Sequence, residues 1–131
     1  MRVLLDTHFL IWLITGPAHL TQKENAIISD PAAHLLVSAV SIWELRLKWD
    51  RRNPDGTRKS SVSPDDGIDY ARDNGIELIS LGVGDVATAL VAPMPHFDPF
   101  DEMLLVHAQQ LGARLLTRDR KLAGHPLALQ L

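Results

Sequence analysis

The chain predicts an α/β fold in which helices surround a short parallel sheet, and three observations lead to that class. Short apolar runs alternate along the whole sequence with longer segments of helical periodicity. Turn-forming or capping residues separate the two kinds of segment. The chain has 131 residues and is 46% hydrophobic, which suits a single domain over residues 1–131 with a buried core.

Four short apolar runs are predicted as strands, because each has the length and apolar character of a strand in a buried parallel sheet. A fifth run, at the C-terminus, is a candidate for a last strand. The predicted strands cover residues 2–5, 35–38, 77–81, 114–117 and 127–131.

The segments between these runs are predicted as helices from their apolar spacing and their boundary residues. Thr21 and Glu24 match a capping box at the start of one helix, and Gly112 is a typical end for another. The predicted helices cover residues 9–14, 21–29, 41–49, 64–74, 83–91 and 99–111, with one helical turn at 118–123. The polar segment 50–63 and the proline-containing segment 92–96 are predicted as loops.

The composition excludes several classes of function. The formal net charge is −3, so any contact with nucleic acid must come from local basic patches. The absence of cysteine excludes disulfides and thiolate zinc sites, and it suits a reducing cytoplasm. No apolar stretch approaches the roughly 20 residues that cross a bilayer. Asp6 and His8 interrupt the apolar N-terminus, which is therefore interpreted as a strand and a helix rather than a signal peptide.

Acidic residues recur where a predicted strand passes into a helix. Because the carboxyl ends of parallel strands share one edge of a sheet, these side chains are expected to converge. A carboxylate cluster repels itself unless a cation lies within it, and all-oxygen ligands favour Mg²⁺ or Mn²⁺. The pattern predicts a metal-dependent enzyme, with phosphodiester chemistry as the natural reaction. The acids are Asp6, Glu44, Asp101 and Asp119, with Asp98 as a fifth candidate.

Each of these acids also has an ordinary structural explanation. Asp6 and Asp98 stand where a helix N-cap is expected, and we interpret Asp98 mainly as a cap. Glu44 stands where it would complete a capping box with Ser41. Asp119 stands between two arginines and would otherwise be a solvated charge. The hypothesis of a metal site therefore depends on all these acids being expected at the same edge of the sheet. His8 and His96 lie beside acids and are interpreted as polar partners of the site.

Four segments together resemble the PIN-domain ribonucleases, and most closely the VapC-type toxins of bacterial toxin–antitoxin pairs. The segments are LLDTH, SIWEL, HFDPFDEMLLVHAQ and LLTRD, and they extend from Asp6 to Asp119. The resemblance implies a three-layer α/β/α domain with a short central parallel sheet. It also implies that the catalytic acids are Asp6, Glu44, Asp101 and Asp119. These four residues and Asp98 would be the metal ligands.

The resemblance further implies a function and a set of partners. A VapC-like chain would be a Mg²⁺- or Mn²⁺-dependent endoribonuclease that hydrolyses RNA by metal-activated water, and would be the toxin of a type II toxin–antitoxin system. Its partners would be RNA, a VapB-like antitoxin and a second copy in a homodimer. Glu102 stands where the family typically has Arg after DPFD, so contacts with RNA or antitoxin are expected to differ there.

Two basic patches are candidates for binding RNA phosphates. A solvated surface is the alternative for the first, because Asp50 and Asp55 are interspersed with its cations. Trp43 and Trp49 are candidates for stacking on bases, although their helical spacing is more typical of core residues. The first patch comprises Arg46, Lys48, Arg51 and Arg52, with Arg58 and Lys59, and the second comprises Arg118, Arg120 and Lys121.

Three other interpretations compete with the ribonuclease. A phosphohydrolase of the haloacid dehalogenase type needs a second Asp two residues after the first, where this chain has His8. A receiver-like domain needs paired acids near the N-terminus and a Lys after a late strand, where this chain has Arg118. The third alternative is a PIN module that binds metal or RNA without turnover, and the intact set of acids argues against it. Assays of RNA cleavage and phosphate-ester hydrolysis separate these functions.

Overall fold

A five-stranded parallel sheet lies at the centre of the structure, a computed structural model that describes residues 1–131. The strand order is β3-β2-β1-β4-β5, and all four neighbouring pairs are parallel. Because the strands are parallel, their carboxyl ends share one edge. The strands are β1 (Arg2–Leu5), β2 (His34–Ser38), β3 (Glu77–Ile79), β4 (Arg114–Leu116) and β5 (Ala128–Leu129).

Helices cover both faces of this sheet, as the α/β prediction requires. Alternate side chains of β1 point to opposite faces: Val3 and Leu5 pack in one hydrophobic cluster, and Leu4 packs in another. The three-layer arrangement is therefore confirmed. The helices are α1 (Thr7–Thr15), α2 (Gln22–Ser29), α3 (Ala39–Asp50), α4 (Pro64–Asp73), α5 (Val83–Ala87) and α6 (Pro99–Leu111), with 3-10 turns at Pro17–His19 and Arg120–Leu122.

The central strands end where polar residues begin the following helices. The Asp6 side chain caps α1 by accepting a hydrogen bond from the His8 amide. Ser38, the last residue of β2, caps α3 by accepting one from the Val40 amide at 3.0 Å. These caps turn the chain into helices at the carboxyl edge of the sheet, and that turn places the first residues of α1 and α3 side by side.

Several element bounds differ from the prediction. Helix α3 begins at Ala39, two residues early, because Ser38 rather than Ser41 is its cap. Helix α5 ends at Ala87, four residues early. Val83 is 85% exposed, so α5 lacks the buried apolar face that would support a longer helix. Strands β3, β4 and β5 are also shorter than predicted, since their ladders with neighbouring strands end at Ile79, Leu116 and Leu129.

None of the helices combines the length and the apolar character that a membrane crossing requires.

Candidate active site

One cavity of about 390 Å³ lies at the carboxyl edge of the sheet and collects the predicted acids. Residues that follow β1, β2 and β4 meet there with the first turn of α6. The structure therefore brings together all five carboxylates that the sequence singles out. The lining residues are Asp6, His8, Trp12, Glu44, Asp98, Phe100, Asp101, Arg118 and Asp119.

Asp6 is the most firmly held of these carboxylates. Its Oδ1 accepts a hydrogen bond from the His8 amide at 3.0 Å, and its Oδ2 accepts one from the Thr117 hydroxyl at 2.9 Å. Burial would raise the pKa of Asp6, but the bonds from His8 and Thr117 outweigh it and lower the pKa below its ordinary value. The Asp6 Oδ1 also lies 3.3 Å from Nδ1 of the His8 ring, and this side-chain contact raises the pKa of His8. Asp6 is thus both a helix cap and an ionised wall of the cavity.

Glu44 is held by α1 and by its own helix, and the predicted capping box with Ser41 is wrong. Because α3 begins at Ala39, Ser41 lies inside the helix and is buried. The Thr7 hydroxyl donates to Glu44 Oε1 at 3.0 Å and also lies 2.9 Å from the Ser41 hydroxyl. Lys48, one turn further along α3, places its Nζ 3.0 Å from Glu44 Oε2. These contacts direct the Glu44 carboxylate into the cavity.

Asp98 and Asp101 have different surroundings at the start of α6. Asp98 is the N-cap, as the sequence indicates, and its Oδ1 accepts hydrogen bonds from the Phe100 and Asp101 amides. Burial and the nearby charge of Asp98 raise the pKa of Asp101 to about 6, and Asp119 and Asp6 add to the effect. The imidazole of His96, 3.4 Å from Asp101 Oδ2, opposes this shift. The ionised form of Asp101 is therefore disfavoured by burial and by the neighbouring carboxylates.

Asp119 caps the 3-10 turn that follows β4, rather than being a fully solvated charge. Its Oδ1 accepts a hydrogen bond from the Lys121 amide at 2.9 Å. Gln130 donates to its backbone carbonyl at 2.6 Å. The side chain is half-buried and lines the cavity. Asp119 is therefore placed by one local bond, from Lys121, and by one bond from Gln130 near the end of the sequence.

A family model described as PIN domain matches residues 3–126 of the chain. The chain belongs to the PIN domain family. It is similar to ribonuclease VapC22 of Mycobacterium tuberculosis, with 27% identity over 94% of this chain and 91% of that relative. The haloacid dehalogenase and receiver interpretations, which rest on other families, are set aside by this membership.

Solved structures resemble this PIN domain over nearly its whole length. One is the VapBC2 complex of Rickettsia felis bound to a promoter DNA fragment, with a TM-score of 0.64, 14% identity, and coverage of 100% of this chain and 98% of that chain. Another is a toxin–antitoxin complex from Klebsiella pneumoniae, with a TM-score of 0.62, 18% identity, and coverage of 97% and 95%. At these identities the likeness is one of fold.

The donor set of this PIN domain suits a hard divalent cation. Carboxylate oxygens dominate the cavity, and burial together with the neighbouring carboxylates raises the pKa of Asp101. A bound cation would favour the ionised form of such a group. Single ligand atoms of His96, Asp101 and Asp119 also lie within 4.8 Å of one another. An imidazole within this group favours Mn²⁺ slightly more than carboxylates alone would, while the oxygen donors suit Mg²⁺ equally.

Several residues that support the site were not assigned to it from the sequence. Thr7 begins α1 and Thr117 follows β4, but hydroxyls are common at such positions and give no distinct signal. The sequence indicates Glu24 only as a capping residue. It also accepts hydrogen bonds from the Arg118 guanidinium, with Nε 2.7 Å from Oε1, and this partner lies 94 residues away. No local pattern in the sequence indicates that pair.

Some basic residues of the predicted patches bond to other groups of the protein, and others are exposed without such bonds. Arg118 is engaged: its guanidinium pairs with Glu24 and lies 4.2 Å from the Trp12 ring centroid. Arg46 pairs with Asp50 at 3.6 Å on the surface. Arg52 and Arg58 donate to backbone carbonyls of their own loop and of Trp49, and Arg120 and Lys121 are exposed beside Asp119.

A second cavity of about 390 Å³ lies beside the first and is basic. Lys48 belongs to it, and the same side chain pairs with Glu44 of the acidic cavity. The two cavities are therefore linked through one ion pair. The lining residues of the basic cavity are Ile11, Lys48, Arg51, Lys59, Ser60 and Ser61.

The two tryptophans of α3 differ from the core placement that their spacing suggests. Trp43 is 49% exposed, and its ring centroid lies 4.8 Å from that of Phe100. Trp49 is half-buried beneath the guanidinium of Arg58, which lies 4.1 Å from its ring centroid. The interior face of α3 is instead supplied by Val40, Ser41 and Leu45.

Proposed function

We propose that this PIN domain is a Mg²⁺- or Mn²⁺-dependent endoribonuclease and the toxin of a type II toxin–antitoxin system. The observation that carries the proposal is the convergence of five carboxylates on one cavity, where the pKa of Asp101 is raised to about 6. A cluster with this excess of negative charge is suited to a divalent cation, and such sites serve phosphodiester hydrolysis. Similarity to ribonuclease VapC22 supports RNA as the substrate.

The carboxylates have distinct roles in this proposal. Asp6, Asp101 and Asp119 would hold the cation, with Asp98 and Glu44 beside them. When bound, the cation lowers the pKa of a water molecule and neutralises charge on phosphate oxygens. The chain's own residues keep that geometry ready. His8 and Thr117 hold Asp6 ionised, and His96 bonds to Asp101.

Glu44 is proposed as the residue that orients the attacking water. Thr7 donates to one carboxylate oxygen and Lys48 pairs with the other, so the orientation of the group is fixed. A carboxylate held in this way accepts a proton or a water hydrogen bond without losing its orientation. Substitution of Thr7 by Val would leave the carboxylate in place but less firmly directed.

The basic cavity is proposed to hold the RNA backbone beside the acidic one. Lys48, Arg51 and Lys59 direct three cations to a space of about 390 Å³, and a polyanion is the ligand that such a group attracts. We include the remaining predicted cations in a wider RNA-binding surface. They are Arg46, Arg52, Arg120 and Lys121, with Arg118 as a positioning residue tied to Glu24.

The partners follow from the proteins that this chain resembles. Chains of similar fold occur in the VapBC2 complex of Rickettsia felis and in a toxin–antitoxin complex from Klebsiella pneumoniae. We propose a VapB-like antitoxin and a homodimeric state for this protein, and action on RNA in the cytoplasm. Glu102 lies at the start of α6, and it would meet the antitoxin or RNA with an acid where the family typically has Arg.

Cleavage of RNA by the purified protein tests the proposal. The protein, freed of any copurified antitoxin, is incubated with a mixed RNA pool in Mn²⁺, in Mg²⁺ and in EDTA. Discrete products with either cation, and none in EDTA, are expected. Asp6→Asn should remove them, whereas Asp69→Asn, an exposed acid on α4, should not. Equal cleavage by the wild type and Asp6→Asn would show that the acidic cavity is not the active site.

A further inference from the structure

An exposed aromatic pair lies at the rim of the acidic cavity. Trp43 immediately precedes Glu44 on α3, and Phe100 lies between Asp98 and Asp101 on α6. Their ring centroids are 4.8 Å apart, with the planes tilted by 35°. Phe100 lines the acidic cavity, and Trp43 is 49% exposed. We refer to these two side chains as the aromatic shelf.

The interior of the fold does not account for this position of Trp43. The buried side chains of α3 are Val40, Ser41 and Leu45, and the Trp43 ring extends away from them toward α6. Half of a large apolar side chain remains in contact with water, which is unfavourable unless something covers it. The exposed ring is therefore a candidate binding surface.

Helix geometry places the shelf and the basic cavity on opposite sides of Glu44. Successive residues of an α-helix are separated by about 100°, so Glu44 lies about 100° from Trp43, and Lys48 lies about 40° further in the same direction. Lys48 lines the basic cavity. A strand of RNA with its scissile phosphate at the acidic cavity would therefore have the shelf on one side and the cationic cavity on the other.

The charges around the shelf favour a nucleotide over another protein surface. Glu44 and Lys48 lie on one side, and Arg46, three residues after Trp43, lies exposed on the other. A stable protein interface has a broad apolar centre, whereas this shelf is two rings wide and surrounded by charges. A single base fits this small aromatic face, and its phosphodiester would then lie beside the cation that the acidic cavity is proposed to hold.

We propose that the aromatic shelf stacks a nucleobase of single-stranded RNA next to the scissile phosphate. This inference rests on the proposed ribonuclease function and adds a substrate requirement to it. The base must be free of its own stacking partners to reach Trp43, so the substrate is a single strand or a loop. Stacking uses the π-face that all bases share, so the shelf selects unpaired nucleotides rather than a sequence.

The test compares Trp43 variants on RNA that lacks single bases. The substrate is a fluorescein-labelled single-stranded oligonucleotide that contains the mapped cleavage site, together with copies in which one nucleotide near the site is an abasic ribose. The variants are Trp43→Ala, Trp43→Phe and, as a matched exposed apolar control, Val83→Ala, whose side chain is 85% exposed. Thermal unfolding verifies that each variant folds, and sedimentation velocity gives its oligomeric state.

The wild type should lose roughly 10-fold or more in kcat/KM when the base at one flanking position is removed. Trp43→Ala should lose a similar factor on intact RNA and should no longer respond to the abasic nucleotide. Trp43→Phe should retain most of the response, and Val83→Ala all of it. In an Asp6→Asn background, fluorescence anisotropy should give a matching rise in Kd for Trp43→Ala, which separates binding from turnover.

Two results would overturn the shelf while leaving the ribonuclease intact. One is an equal response of the wild type and Trp43→Ala to every abasic position, with metal-dependent cleavage by both. The other is a change of oligomeric state in Trp43→Ala with its abasic response preserved, which would identify the shelf as a protein contact. If the wild type neither cleaves nor binds RNA, the proposed function fails and the shelf inference fails with it.

Discussion

Glu24 and Asp101 are two carboxylates whose pKa values are shifted in opposite directions by the fold. Glu24 has a side chain only 3% exposed and pairs with Arg118, whose hydrogen bonds lower the pKa of Glu24. Asp101 has a side chain 16% exposed and faces other carboxylates, and burial together with Asp98 raises its pKa to about 6. Arg118 and Asp119 are consecutive residues that follow β4. Arg118 donates hydrogen bonds to Glu24, whereas the charge of Asp119 contributes to the raised pKa of Asp101.

Glu24 is a charge that stabilises the fold, whereas Asp101 is a charge of the proposed metal site. At Glu24 the chain supplies its own cation, Arg118, which makes two hydrogen bonds with Glu24 and lies over the Trp12 ring. In the acidic cavity Arg118 is committed to Glu24, and Lys48 pairs with only one of the five carboxylates, Glu44. A negative cluster that the fold does not neutralise is prepared for a cation from solution.

The largest effect is expected from removing a charge in the acidic cavity. Asp101→Asn should lower metal-dependent RNA cleavage by about 1000-fold, or roughly 4 kcal/mol, because it deletes a proposed ligand while preserving the shape of the side chain. Initial rates on a labelled RNA at saturating Mn²⁺ measure the effect, with Asp69→Asn as the control. Near-normal turnover by Asp101→Asn would mean that the crowded carboxylate does not take part in the chemistry.

Metal addition should stabilise the folded protein, and the stabilisation should depend on the acidic cavity and not on Glu24. At a Mn²⁺ concentration 100 times its Kd, the free energy of unfolding should rise by about 2.7 kcal/mol, and EDTA should reverse the rise. Differential scanning fluorimetry across a Mn²⁺ titration measures it. Glu24→Gln should respond as the wild type does, whereas Asp101→Asn should respond weakly. A full response in Asp101→Asn would place the cation elsewhere.

Removal of the structural charge should weaken the fold. Glu24→Gln should lower the free energy of unfolding by about 2 kcal/mol at pH 7, because Arg118 loses its charged partner. The pKa of Glu24 is lowered in the folded protein, so this stabilisation is present above the ordinary value of 4.5 and is lost as the pH falls.

Urea denaturation of the wild type and of Glu24→Gln at pH 7 and pH 3.5 measures that difference. The gap between the two proteins should narrow at pH 3.5, because the stabilisation from the charged Glu24 is lost as the pH falls below 4.5. A gap of the same size at both pH values would point to lost packing rather than to the ion pair.

The smallest effect should have the opposite sign. In the absence of metal, Asp101→Asn should raise the free energy of unfolding at pH 7 by about 1–2 kcal/mol, because it removes the crowded charge. The raised pKa means that the folded wild type holds this proton more tightly than the unfolded chain. Its stability therefore falls as the pH rises from about 4 to about 6. Urea denaturation in EDTA at pH 4 and pH 7 checks this, and a destabilised variant at pH 7 would contradict it.

Local patterns of the sequence were enough to predict the elements and many of their caps. Thr21 and Glu24 form the predicted capping box, Asp98 caps α6, and Gly112 ends that helix with a φ of 60°. Each of these features depends on residues within about four positions of one another. The alternation of strands and helices then determined a parallel sheet, and the shared edge of such a sheet explains why the acids were expected to meet.

Tertiary contacts decided what those local patterns left open. Ser38 is the cap of α3 because β2 ends there. This start of the helix places Glu44 against Thr7 of α1. Trp43 lies on the rim of the acidic cavity because Phe100 of α6 receives its ring.

The contrast between Glu24 and Asp101 is also a product of the tertiary structure. The sequence determined that both residues are acids near helix starts. The folded chain alone determined that Glu24 meets an arginine 94 residues away, whereas Asp101 meets Asp6 and Asp119. A charge interacts with whatever lies near it in space, and no local periodicity of the chain encodes those distances.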